Sequence, residues 1–200
     1  FDDGDALSLI RKILKTRRGE AEQLKPAAVL ETVSRIKNGV LDLEALTSSV
    51  RNEERGAAAA FEEYERALRR NNAFDFDDLI EKTVRLFHEH PDVLARYQEK
   101  FRFLLVDEYQ DLNPKQYELI RLLAGSHRNL SVVGDDHQMI YGWRYATVET
   151  FLSFESDWPE AQVVVLEENY RSTGNIVRAA SAVIQNNRRQ KPKTLRTKNP

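Results

Sequence analysis

Apolar residues recur with a helical period through the first half of the chain. Leu7, Ile10, Ile13 and Leu14 predict one amphipathic helix. The stretch from Thr16 to Glu20, with Gly19, breaks the pattern. Pro26 suits the first turn of a second helix, on which Val29, Leu30, Val33 and Ile36 share a face and Asn38-Gly39 marks the end. Between Leu43 and Gly56 the pattern is weak and reads as a short helix or a loop. From Ala57 to Arg70, Phe61, Tyr64 and Leu68 line a further helix, which Asn71-Asn72 interrupts. Asp75 can cap the next, with Phe76, Leu79, Ile80, Val84 and Phe87 on one side. Pro91 starts a short helix through Tyr97. The charged residues of this half are expected to form a solvated face without chemistry. His88 and His90, two apart, do not share a helix face. They suit a helix C-terminus better than a metal.

The period changes at Phe103. Phe103-Leu104-Leu105-Val106 is an unbroken apolar run that stops in Asp107-Glu108, and it predicts a strand buried on both faces. Asn113, Pro114 and Gln116 then form a helix start, with Asn113 at the cap and Pro114 at the first helical position. Tyr117, Ile120, Leu123 and Ala124 are its expected buried stripe, and Gly125 its end. Leu130 to Gly134 is a second apolar run, followed by Asp135-Asp136-His137-Gln138. Strand, acids, helix, strand, acids in series predict a βαβ unit. Its strands should be parallel, its crossover right-handed, and both polar ends on one sheet edge. Valine-rich Ala161–Leu166 predicts a third strand. Ser172 or Thr173 should cap a last helix carrying Ile176, Val177, Ala180, Val183 and Ile184. The fold class is therefore α/β, with a mostly helical part first.

Composition narrows the reading further. The 200 residues are 41% hydrophobic and 31% charged, as in an ordinary globular protein of one or two domains. No apolar run approaches the ~20 residues of a membrane span, so no membrane partner is expected, and no signal peptide is expected either. There is no cysteine, which excludes disulfides and thiolate metal sites and is compatible with the expected cytoplasmic location. A net charge of -2 confines nucleic-acid binding to a local patch. The start at Phe1 leads us to expect a piece of something longer.

Two stretches carry candidate chemistry. A strand ending in two acids can hold magnesium with the first and polarise a water with the second. The competing reading is that Asp107 and Glu108 cap a turn. After the second strand, Tyr141-Gly142-Trp143-Arg144 sets two large aromatics two apart beside a cation, which suits stacking on bases. The competing reading is core packing. The basic tail, Arg188, Arg189, Lys191, Lys193, Arg196 and Lys198, is expected to be solvated surface.

Four stretches in unbroken order resemble the UvrD/Rep family of superfamily 1 helicases. They are Phe74-Asp75-Phe76-Asp77-Asp78-Leu79, Leu105 to Asp111, Val133 to Arg144, and Leu166-Glu167-Glu168-Asn169-Tyr170-Arg171-Ser172-Thr173. The resemblance implies a partial P-loop-type, RecA-like parallel sheet. It implies residues 1–98 as a helical 1B-like subdomain, 99–160 as the C-terminal part of motor domain 1A, and 161–200 as the start of motor domain 2A. It implies ATP and Mg2+ as cofactors, with single-stranded DNA and single/double-strand junctions as partners. Asp107 would hold magnesium, Glu108 would orient or deprotonate the attacking water, and Gln138 would sense the γ-phosphate. Arg171 would act as an arginine finger and Tyr170 would pack near the adenine. Tyr141 and Trp143 would stack on bases, with Arg144 beside the strand.

The parent would be an ATP-dependent 3′–5′ DNA helicase serving repair or replication. The alternatives are a non-catalytic single-strand-binding module and an ATPase without a nucleic-acid role. His137, Met139 and Tyr145 depart from the family pattern, which usually has Asp, a small polar residue and Gly there. His137 beside a phosphate site would make activity sensitive to pH. The phosphate loop G-x-x-x-x-G-K-[ST] occurs nowhere in the chain. An internal slice of the family's motor, inactive alone, is therefore expected.

Overall fold

A computed structural model describes residues 1–17 and 24–200; most of the predicted break at Thr16–Glu20 lies outside them. Helix α1 (Asp3–Thr16) opens on a capping box: the Asp2 carboxylate accepts from the Asp5 N–H at 2.8 Å. It buries Ala6, Ile10, Ile13 and Leu14, as their spacing predicts. Helix α2 (Pro26–Lys37) buries Val29 and Val33 and ends where Gly39 takes φ +74°. The weak stretch holds α3 (Leu43–Thr47) and the first turn of α4 (Asn52–Arg70). Tyr64 and Leu68 of α4 join α1 and α2 in one core. Helices α5 (Asp78–Glu89) and α6 (Pro91–Lys100) follow. Asp75 is not the cap of α5, which is Asp77 without a side-chain bond; its carboxylate accepts the Asp78 N–H at 2.9 Å just ahead of the helix. His88 pairs with Glu118 at 2.8 Å, and no group of three or more His, Cys, Asp or Glu side chains placed to hold a metal ion forms among the described residues.

Strand β1 (Leu104–Val106), α7 (Pro114–Ala124) and β2 (Leu130–Val132) form the expected βαβ unit. The pairing runs Leu104 N–H to Asn129 C=O at 3.0 Å and Val133 N–H to Val106 C=O at 2.8 Å, a parallel register. Helix α7 has the predicted capping box between Asn113 and Gln116. Beyond the strands lie α8 (Val148–Leu152), α9 (Phe154–Asp157) and α10 (Gly174–Ile184). The chain forms two compact units. The first holds 1–105 and 113–131, and the second 106–112 and 132–200. No helix among the described residues is long and apolar enough to cross a membrane.

Four expectations need correction. First, β1 is not buried on both faces: Leu105 is 81% exposed, while Leu104 and Val106 are half-covered. A two-stranded sheet covered on one side leaves alternate residues in solvent, and the apolar run alone could not reveal that. Second, Ala161–Leu166 joins no ladder; Val164 and Leu166 are 78% and 77% exposed. Strand propensity becomes a strand only beside a neighbour offering N–H and C=O groups. The only bridge nearby among the described residues lies just past the segment, Glu168 to Arg196. Third, of the stripe expected to be buried on α7 only Ala124 is buried, while Tyr117, Ile120 and Leu123 are half-covered.

Fourth, the charges of the helical half are not all solvated. Lys37, at the end of α2, is buried, and its Nζ lies 2.8 Å from each of Glu65, Asp75 and Asp78. The Tyr64 hydroxyl donates to Asp75 at 2.9 Å. Lys82 reaches Glu65 at 2.7 Å and Asp78 at 3.3 Å. Burial pushes the Asp75 and Glu65 carboxyls up, but hydrogen bonds and charge from the lysines outweigh it and hold both below the usual range. For Asp78 burial wins and the carboxyl is raised. The groups meet across separations of 38 and 41 residues, beyond any local pattern.

Candidate active site

The polar edge lies within the second unit and starts where β1 stops. Asp107 turns one carboxylate oxygen back to accept the Glu108 N–H at 2.9 Å. Glu108 then sits in the left-handed region at φ 50° and ψ 42°. That conformation costs a non-glycine residue about 1–3 kcal/mol and persists only where its surroundings fix it. The fixing comes from the next two residues. Tyr109 is buried, with Phe154 at 5.3 Å and Phe151 at 6.1 Å between ring centres. Its N–H donates to Val133 C=O at 2.9 Å. Gln110 is buried too.

Gln110 joins the two strand ends. Its side-chain N–H donates to Glu108 Oε2 at 2.7 Å, and its Oε1 accepts the Asp135 N–H at 3.0 Å. Asp135 in turn accepts the His137 N–H at 3.0 Å and the Gln138 Nε2–H at 2.9 Å. A continuous chain of bonds therefore runs from Glu108 through Gln110 and Asp135 to Gln138. Gly134 makes room for it. A Cβ there would stand 2.8 Å from Gln110 Oε1 and 2.8 Å from the Phe151 ring.

The loop continues into Tyr141-Gly142-Trp143-Arg144, whose last three residues form a short 3-10 turn. Trp143 is 68% exposed, so core packing does not account for it, and Tyr141 is half-buried. Their ring centres are 5.9 Å apart at 62°. The Arg144 guanidinium lies 4.5 Å from the Trp143 ring centre and 5.2 Å from that of Tyr141, in cation–π range of both. Nothing stands within 4 Å of where a Gly142 Cβ would be. Tyr145 closes the turn at φ 69°, a conformation glycine adopts without strain.

Tyr170 and Arg171 lie elsewhere on the second unit. Asn169 Oδ1 accepts the N–H groups of Arg171 at 3.0 Å and Ser172 at 2.8 Å, a tight turn that leaves Tyr170 84% exposed. Among the described residues, neither Tyr170 nor Arg171 bonds to Asp107, Glu108 or Gln138. The basic tail is not simply solvated, contrary to expectation. Arg189 pairs with Glu149, Lys191 with Glu155, Lys193 with Asp135 and Asp136, and Arg196 with Glu168. Gln110 and Asp135 also went unassigned in the sequence, although both stand inside the quoted stretches. Their role shows only in the cross-strand bonds.

The donor set suits magnesium. That ion is usually held by one or two carboxylates, with waters and substrate phosphates completing its octahedron. Asp107 and Glu108 are two adjacent exposed carboxylates at a strand end.

An α/β chain with acids and a glutamine loop on one strand edge, and an exposed aromatic turn beyond, is the class of protein in hand. The UvrD/REP helicase N-terminal domain matches residues 1–159, and the chain belongs to that family. It is 44% identical over all 200 residues to the ATP-dependent DNA helicase PcrA of Staphylococcus aureus strains Mu50 and NCTC 8325. The identity to PcrA of Staphylococcus epidermidis is also 44%. In each case 100% of this chain aligns with 27% of the relative, so the chain spans about a quarter of the length of the curated relatives it matches.

Proposed function

We propose that the chain is the part of an ATP-dependent 3′–5′ DNA helicase in which the hydrolytic acids and the single-strand platform share one loop system. The phosphate loop is absent from the 200 residues, so these roles belong to the segment within the intact helicase. The observation that carries the reading is the bonded chain Glu108–Gln110–Asp135–Gln138. Membership of the UvrD/REP family and the name of the PcrA relatives support the choice of ATP and DNA. Residues 1–98 are then a 1B-like subdomain, 99–160 the end of a RecA-like 1A domain and 161–200 the start of 2A.

Asp107 would hold Mg2+, which when bound neutralises charge developing on the phosphates. Glu108 orients the attacking water. One of its oxygens is fixed by Gln110, and the residue is exposed, which leaves the other to accept the water's proton. Gln138 contacts the γ-phosphate and reports it through the loop to Tyr141 and Trp143, which stack on bases of single-stranded DNA beside Arg144. Tyr170 and Arg171 complete the nucleotide site when the second motor domain closes. Repair and replication restart are the processes such a motor serves.

Trp143→Ala in the intact helicase tests the platform. A stacked base is worth about 1–3 kcal/mol, so single-strand affinity should fall by that amount, and DNA-stimulated ATP hydrolysis should fall with it. Fluorescence anisotropy with a labelled oligonucleotide reads the first and phosphate release the second. Wild-type values for both would remove Trp143 from the DNA site.

A further inference from the structure

The loop that carries Gln138 is gripped by a segment more than fifty positions later in the chain, as the separations of 53 to 58 residues show. Lys193 Nζ donates to Asp135 Oδ1 at 2.5 Å and to Asp136 Oδ1 at 2.8 Å. The Lys191 N–H donates to Asp136 Oδ2 at 2.6 Å, and His137 Nε2 lies 2.8 Å from Gln190 Oε1. Each of the three residues before Gln138 is therefore tied to the stretch 190–193. The Asp136 carboxylate is 1% exposed and the Lys193 side chain 12%, so these bonds are shielded from water and are charge-assisted.

We infer that Lys193 is a positioning residue for Gln138, acting through Asp135. The proposal rests on the reading of Gln138 given above. Asp135 is the only side chain that the structure bonds to the Gln138 amide among the described residues. Its other oxygen is held by Lys193 and by the His137 N–H. Two adjacent carboxylates repel unless a cation lies between them, and Lys193 is that cation. Without it, Asp135 is free to rotate away from Asp136, and the Gln138 amide loses its anchor. Burial pushes the Asp135 carboxyl up, but bonds from Lys193, Gln138 and the His137 N–H hold it below the usual range, consistent with a formed pair.

The test uses the intact helicase with Lys193→Gln, Lys193→Arg, Gln138→Ala and the Lys193→Gln/Gln138→Ala double variant. Single-strand-stimulated ATP hydrolysis gives kcat and KM. A misaimed catalytic contact costs about tenfold or more in rate. Lys193→Gln should lose kcat on that scale with KM for ATP nearly unchanged, Lys193→Arg should restore most of it, and the double variant should match Gln138→Ala alone. If Lys193→Gln folds poorly, Asp135→Asn breaks the same link from its other side; it should lose kcat on the same scale, and its double variant with Gln138→Ala should match Gln138→Ala alone. Full kcat in Lys193→Gln, or losses that multiply independently in the double variant, would overturn the clamp while leaving Gln138 its role. No loss in Gln138→Ala would overturn both the clamp and the functional reading beneath it.

Discussion

Glu108→Gln in the intact helicase is expected to lower ATP turnover by about 10²–10⁴-fold, the usual worth of a positioned general base, with little change in nucleotide affinity. The substitution is isosteric. It keeps the left-handed backbone at φ 50° and a side chain that Gln110 can still reach. What it removes is the charge on the oxygen proposed to accept a proton from water. Glu108 is solvent-exposed, so stability should stay close to wild type. Single-turnover hydrolysis separates chemistry from binding. Turnover equal to wild type would assign the water to another group, and a collapse in ATP affinity would make Glu108 a binding residue.

Lys37→Met should destabilise the first unit by about 3–5 kcal/mol, the cost of stranding buried charges by removing one partner. Glu65, Asp75 and Asp78 would remain around an apolar side chain, with Lys82 near Glu65 and Asp78 and the exposed Arg69 near Glu65. The sign of the pH dependence follows from the directions of the shifts. Glu65 and Asp75 lie below their ordinary range and Lys37 above its own. The stability they contribute is present between the ordinary carboxylate and lysine ranges. It is lost as pH falls through the depressed carboxylate values or rises through the raised lysine value. Asp78, raised by burial, has the opposite sign and costs stability once ionised. In Lys37→Met the abandoned carboxylates take up protons more readily, so the deficit should shrink as pH falls from 7 toward about 4. Urea denaturation of wild type and variant across that range measures it. A deficit that stays constant with pH would mean that lost packing, not charge, is responsible.

What was legible in the sequence was local. Asn113-Pro114-x-Gln116 announces a helix start because a cap and its reciprocal partner lie three residues apart. Leu68 and Tyr64 announce a buried face because four residues make about one helical turn. The two apolar runs ending in acids gave the parallel pair and the shared edge, because a βαβ connection leaves little choice of direction. What was not legible depends on residues far apart. Lys37 looked like any lysine near a helix end until three carboxylates closed on it. Lys193 looked like part of a solvated run until Asp135 and Asp136 came beneath it. Gln110 stood in plain view, but its bond to Asp135 exists only once β1 and β2 are in register. Ala161–Leu166 failed in the opposite sense: its valines favour a strand, and among the described residues no ladder receives them.

On the proposed function, one loop senses the γ-phosphate at Gln138 and the single strand at Trp143. Single-strand affinity of the intact helicase, with and without a non-hydrolysable ATP analogue, tests it most directly when wild type is compared with Gln138→Ala. Wild type should change affinity by about fivefold or more on binding the analogue, the scale of ordinary site-to-site coupling. Gln138→Ala should bind both ligands with no such change. The same nucleotide-dependent shift in Gln138→Ala as in wild type would mean that Gln138 does not couple the two sites.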